Sequence, residues 1–194
     1  LATRRSIHEA ALGLAETHGL SGVTIEAISE RAGVAPRTFW SYFGSKEDAV
    51  LDRDPDRPQA LRSALLARPD DEDTLTALRK VLEADLVART KDREKALRKG
   101  QLIRREPHLM AAIAASFDEI ERALVGAVGI RLGKDPATDL FPGVMVSTAC
   151  GAMRVAHVRW SDLHGEMELS ELIEEAFRQL AHGLSSLIPE MSDR

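Results

Sequence analysis

Residues 35–48, APRTFWSYFGSKED, place Phe39, Trp40, Tyr42 and Phe43 within five positions, half of the eight aromatic residues in a chain of 194. Pro36 suits the first turn of a helix, where its missing N–H is not needed. On that helix Phe39 and Phe43, four residues apart, share a face and point inward. Arg37 and Ser41 point away from them, with Thr38, Trp40 and Tyr42 on the flanks. The cluster therefore divides into two core rings and two rings that meet something outside. Gly44 stops the helix. SKED then reads as a capping box, with Ser45 as the cap and Asp48 at the third helical position. Lys46 falls in the first turn of that next helix, where a cation gains nothing from the helix dipole. Its placement predicts an external anion.

Upstream, a helix is predicted from Arg4 to His18, with Ile7, Ala10, Ala11 and Leu14 on one face, and Gly19 ends it. Thr24 is a predicted N-cap for a short helix whose apolar stripe is Ile25, Ile28 and Ala32 and whose stop is Gly33. Val34 and Ala35 leave a tight connection to Pro36. Two short helices joined this way after a supporting helix form a helix-turn-helix. The second helix of such a pair enters the DNA major groove.

The run GLSGVTIEAISERAGVAPRTFWSYFGSKEDAV, residues 19–50, resembles the N-terminal domain of the TetR family of bacterial transcriptional regulators. The resemblance implies an all-α fold, with a three-helix DNA-binding domain over residues 1–46 and a helical ligand-binding and dimerisation domain over residues 47–194. It also implies a set of DNA contacts. Thr24 would bind a phosphate, and Arg37 and Thr38 would face the groove from the helix that Pro36 opens, with Ser41 on the same face. Arg37 suits guanine O6 and N7. Trp40 and Tyr42 would press on the sugar-phosphate wall, and Lys46 would hold a phosphate. Where the family often has Ser or Thr, this chain has Ala35, so a cap and a possible contact are lost.

DRDPDRP, residues 52–58, breaks the fourth helix, since Pro55 and Pro58 disfavour helix at the residue before them. A short helix is predicted for 59–67. DDED, residues 70–73, reads as carboxylates gathered at the start of a helix that runs to about Arg89. From Arg79 to Arg105 there are ten Lys or Arg and four Asp or Glu, a local balance of +6. That stretch reads either as a solvated helical face or as an anion site. Long helices are predicted from Pro107 to about Gly133, after Pro142, and from about Glu168. Ser147, Ala149, Gly151 and Ala152 allow close helix approach. The last helix carries Leu169, Leu172, Ile173, Ala176, Phe177, Leu180 and Leu184, a stripe wide enough to meet a second copy. The resemblance implies a homodimer through the last two long helices. Met110, Phe117, Met145, Cys150, Met153, His157 and Trp160 are candidate lining of a ligand pocket, although each is more often plain core. TLTALRKVLEADL and LIRREPHLMAAI resemble the effector domain of the mycofactocin-regulator type, which implies an acyl-CoA-like ligand.

The net charge of −5 makes no whole-chain case for nucleic acid. Up to Lys46 the balance is five basic residues against four acidic ones. No apolar run suits a membrane span, and the lone Cys150 fits a reducing cytosol, so a cytoplasmic protein is expected. His157 and His164 could share a face, but no carboxylate or thiol completes a metal set. No Walker loop or Rossmann glycine pattern is present, so no cofactor and no enzyme activity are expected. The reading is a DNA-binding, ligand-responsive regulator, most simply a homodimeric repressor on a pseudo-palindromic operator. The alternative is a ligand-binding or protein-interaction module of the same fold that has lost DNA binding.

Overall fold

A computed structural model describes residues 2–183. Among these, every regular element is a helix. In order they are α1 (Ala2–His18), a single 3₁₀ turn (Leu20–Gly22), α2 (Ile25–Ala32), α3 (Pro36–Trp40), α4 (Lys46–Leu51), α5 (Arg57–Leu66), α6 (Thr74–Thr90), α7 (Arg93–Arg105), α8 (Pro107–Leu132), α9 (Phe141–Asp162) and α10 (Leu169–His182). No described helix is long and apolar enough to cross a membrane. Leu184, the last member of the predicted α10 stripe, lies outside the described residues. α7 lies within the basic run that reads as a solvated helical face, although the sequence reading gives it no bounds of its own. Charged residues dominate it; Ala96 and Leu102 are buried, with Leu97 and Ile103 packed beside the cores.

The chain forms two compact units. The first contains residues through Arg57 together with Arg98–Glu119, and the second contains Pro58–Leu97 with the residues from Ile120 onward. The division expected after residue 46 thus falls inside the first unit, where α4 packs on α1.

In the first unit, α1, α2 and α4 surround a core of Ile7, Leu20, Ile28, Phe39 and Val50, completed by Leu102 and Leu109 from α7 and α8. Both sequence-derived caps are present. Thr24 accepts a hydrogen bond from Ala27 N at 3.1 Å, and Ser45 accepts one from Asp48 N at 3.0 Å. Gly33 ends α2 at φ 69°, a left-handed conformation that favours glycine. Asp48 does not close the reciprocal half of a capping box with its carboxylate. Its Oδ1 lies 3.4 Å from Arg53, whose guanidinium also meets both carboxylate oxygens of Glu119 at 2.6 and 2.7 Å. His8 is buried, with Nδ1 2.8 Å from the carbonyl of Ala49, so α1 and α4 are joined by a polar contact as well as by packing.

The second unit is centred on Leu65, Leu78, Leu124, Val128, Val146 and Ile173, with α9 and α10 packed against each other. Asp73 is the N-cap of α6, accepting from Thr76 N at 2.8 Å, so the acidic run acts locally, as its position suggested. Arg131 on α8 clasps the α5–α6 connection, donating to the carbonyls of Arg68 at 3.0 Å, Pro69 at 2.8 Å and Glu72 at 3.0 Å. These carbonyls follow a helix C-terminus and have no helical partner. Glu72 receives Arg68 at 2.6 and 2.7 Å and Lys80 at 2.6 Å. Arg68 first, then Lys80, lower its pKa from 4.5 to about 2.

Two outcomes are expected. Arg131→Ala should cost about 2–3 kcal/mol in urea unfolding, because several carbonyls lose a charged donor together. Glu72 is depressed in the folded state, so its contribution is present above the ordinary carboxylate pKa and fades as pH falls from 4.5 toward about 2. Glu72→Gln should therefore lower stability at neutral pH and flatten the stability profile through that acid window.

Candidate nucleic-acid interface

α3 is five residues long, and its N-cap, Ala35, makes no side-chain cap hydrogen bond. The sequence predicts a helix reaching Gly44. The regular helix stops at Trp40, but helical hydrogen bonding continues, since Tyr42 N and Phe43 N both donate to Phe39 O at 3.0 Å. This doubly used carbonyl tightens the last turn, as is common where short helices end.

The division of the aromatic cluster is plain in the structure. Phe39 is 0% exposed and Phe43 3%, while Trp40 is 57% exposed and Tyr42 37%. The Trp40 ring stands edge-on to Phe39 with centroids 5.4 Å apart, and Arg4 caps the Phe43 ring at 4.9 Å. Arg37, Ser41 and Tyr42 are exposed, as are Thr24 and Pro36, while Thr38 is half-buried. The Ser41 hydroxyl turns back toward Arg37 O at 3.4 Å. Neither the Arg37 guanidinium nor the Tyr42 hydroxyl has a partner among the described residues. The outer side of α3 and the turn after it therefore present a guanidinium and a phenol with no partner inside the chain, beside an exposed indole that leans on Phe39. Such groups suit base edges and the sugar-phosphate wall.

Lys46 stands differently from its sequence-based expectation. Its ammonium donates to Leu20 O at 2.8 Å and Val23 O at 3.0 Å. On the other side of the same turn, Leu20 N donates to Glu106 Oε1 at 3.0 Å. Lys46 thus ties down the turn that leads into Thr24 and α2, with one N–H left to offer an anion. The sequence held no signal for Glu106, which is 86 residues from its partner.

The seven candidate pocket residues divide between the two units. Met110 and Phe117 are 51% and 39% exposed on the part of α8 that belongs to the first unit. Met145, Cys150, Met153, His157 and Trp160 lie along α9 in the second unit. There Cys150, Met153 and Trp160 are core residues, and His157 stacks on Trp160 with centroids 5.9 Å apart. A cavity of about 590 Å³ does open in the second unit, and Trp160 is the one member of the seven that lines it.

Comparison with known proteins agrees with this geometry. Residues 7–51 match the family model for bacterial regulatory proteins of the tetR family, and residues 72–185 match that of the MftR C-terminal domain. The chain belongs to the TetR family. TetR-family proteins are transcriptional regulators that bind DNA and respond to ligands, and they are not enzymes. Among curated TetR-family relatives, the chain is 31% identical to the HTH-type transcriptional regulator TcmR of Streptomyces glaucescens, over 97% of this chain and 84% of the relative. It is 29% identical to the putative mycofactocin biosynthesis transcriptional regulator MftR of Mycobacterium tuberculosis, over 95% and 92% of the two chains. The fold matches the fatty acid degradation regulator FadR of Bacillus halodurans with a TM-score of 0.63 at 21% identity, covering 94% of this chain and 96% of that one. It also matches Thermus thermophilus FadR, solved in complex with lauroyl-CoA, with a TM-score of 0.55 at 21% identity over 98% of both chains.

The two readings of Lys46 separate by salt dependence. A lost phosphate contact reduces the slope of log affinity against log salt by about 1, whereas a loosened turn lowers affinity with the slope kept. Lys46→Met should follow the second course, with a lower unfolding midpoint beside it. Tyr42→Ala should weaken binding to all sequences alike. Arg37→Ala should also relax preference at one base position, costing about 1–3 kcal/mol of discrimination. Anisotropy titrations at several salt concentrations check all three.

Proposed function

We propose that this protein is a homodimeric repressor that leaves its operator when a small apolar or acyl-CoA-like effector binds. The observation that carries the reading is the two-sided α3. Its buried rings fix the segment while Arg37 and Tyr42 face outward without partners and Trp40, edge-on to Phe39, stays 57% exposed. The first 46 residues would read DNA, with Thr24, Pro36, Arg37, Thr38, Trp40, Ser41, Tyr42 and Lys46 at or beside the contact. The remainder would bind effector and partner. Two such heads would meet half-sites about one helical turn apart.

For the dimer, α9 leaves Val144, Val155 and Val158 exposed, and α10 leaves Leu172, Ala176 and Leu180 half-buried. These residues suit an isologous contact between α9 and α10 of two copies. The effector class is supported by the match to the MftR C-terminal domain and by the lauroyl-CoA held by a protein of the same fold. An effector releases DNA only by binding the non-DNA state more tightly than the DNA-bound one.

The second reading, a module of this fold without DNA binding, draws on two observations. Ala35 gives α3 no side-chain cap, and the Lys46 ammonium is turned onto carbonyls. One titration separates them. Fluorescence anisotropy against the intergenic DNA beside the gene, at two salt concentrations and with unrelated DNA as control, should show tight, selective, salt-sensitive binding by a dimer. Equal weak binding to both DNAs would favour the second reading.

A further inference from the structure

The cavity of about 590 Å³ in the second unit is bounded by α6, the start of α7, the end of α9 and the start of α10. That volume lies within the roughly 300–1,000 Å³ typical of small-molecule sites. Its apolar side is formed by Trp160 and Leu169, both 5% exposed, with Val87 and Met167 open to solvent at the rim. Several of its polar groups are already engaged. Lys80 pairs with Glu72 at 2.6 Å, Glu83 pairs with Arg79 at 2.8 Å, and the Arg93 Nε donates to His164 O at 2.9 Å.

Most of the groups left over are hydrogen-bond donors. The Lys91 ammonium and the Trp160 indole N–H have no partner among the described residues. The backbone N–H groups of Leu169 and Ser170 open α10, and its N-cap, Glu168, gives them no side-chain hydrogen bond. The Trp160 ring is buried, but its N–H is not among the buried groups left unsatisfied, so solvent reaches it and an acceptor entering the site would take the place of water. The N-terminus of a fourteen-residue helix favours negative charge at the same wall. The opposing group is the Glu168 carboxylate, which is exposed.

We infer that this cavity binds an amphiphile with a single anionic head, a carboxylate or a phosphate monoester. Its apolar body lies along Trp160, Val87 and Met167. Its head is held by Lys91, the indole N–H and the amides that open α10. The inference gives a ligand class to the ligand-responsive reading above and rests on it.

The test uses the full chain carrying Trp40→Phe, which leaves Trp160 as the sole tryptophan. Its emission is titrated with decanoate, decyl phosphate and uncharged 1-decanol, each below its micellar concentration. Saturable shifts are expected for at least one anion, with decanol about 10-fold weaker or more. Lys91→Glu should weaken the anion about 10-fold and leave decanol unchanged. Glu168→Gln should tighten the anion about 3-fold. Saturation by decanoate alone would assign a carboxylate head, and by decyl phosphate alone a phosphate head. Equal binding of decanol and both anions, indifference to Lys91→Glu, or no saturable shift with any probe would overturn the inference. Operator release by the same probes is measured separately on the unsubstituted chain. Anion binding at Trp160 without release would overturn the effector reading and leave the site. Release that ignores Lys91→Glu would do the reverse.

Discussion

α3 is a single short helical segment that cannot hold its own shape. One turn of helix fixes several backbone angles for few hydrogen bonds, so five residues in water do not remain helical. Here the segment also lacks a capping side chain at Ala35. What keeps it in place is the burial of Phe39 and Phe43 against α1, α2 and α4. Removing a buried phenylalanine ring typically costs about 3–5 kcal/mol, more than the intrinsic preference of five residues can supply. The outward groups from Arg37 on α3 to Tyr42 in the turn after it flank those two rings and are held with them.

This is also why the reading head was legible in the sequence. The rings at 39 and 43, the caps at Thr24 and Ser45 and the stop at Gly33 are local signals. Each acts over four residues or fewer, and the structure bears them out. The acidic run before α6 was readable for the same reason, since Asp73 caps the helix that follows it. The TetR-family fold followed from the same short stretch.

The parts that escaped were made by contacts across long stretches of chain. Lys46 looked free because the carbonyls it meets belong to residues 20 and 23. Glu106 carried no local mark at all. α7 buries few side chains and shares the charge of the rest of the basic run, so its bounds did not stand out. Among the pocket candidates, apolar type and helical spacing could not separate a core residue such as Met153 from an exposed one such as Met110. What decides between them is which neighbours the remaining helices bring, and no one stretch of sequence states that. The basic run from Arg79 to Arg105 likewise resolves into separate duties. Arg79 pairs with Glu83, Lys80 with Glu72, and Arg93 holds the loop before α10.

Glu106 and its neighbours on α7 and α8 bear on how such regulators are built. The DNA-reading unit is discontinuous: Leu102 and Leu109 belong to its core, Glu106 holds the turn at Leu20, and Glu119 holds Arg53. A fragment cut after α4 would expose a gap where two leucines had been and would leave the Leu20 N–H without its acceptor. Exchange of effector domains between relatives therefore cannot be made at the α4 boundary alone. A working chimera must carry residues 98–119 with the head they complete, or receive a replacement segment whose side chains fit the same gap. The reading head and its regulator share a stretch of chain, and the two cannot diverge independently there.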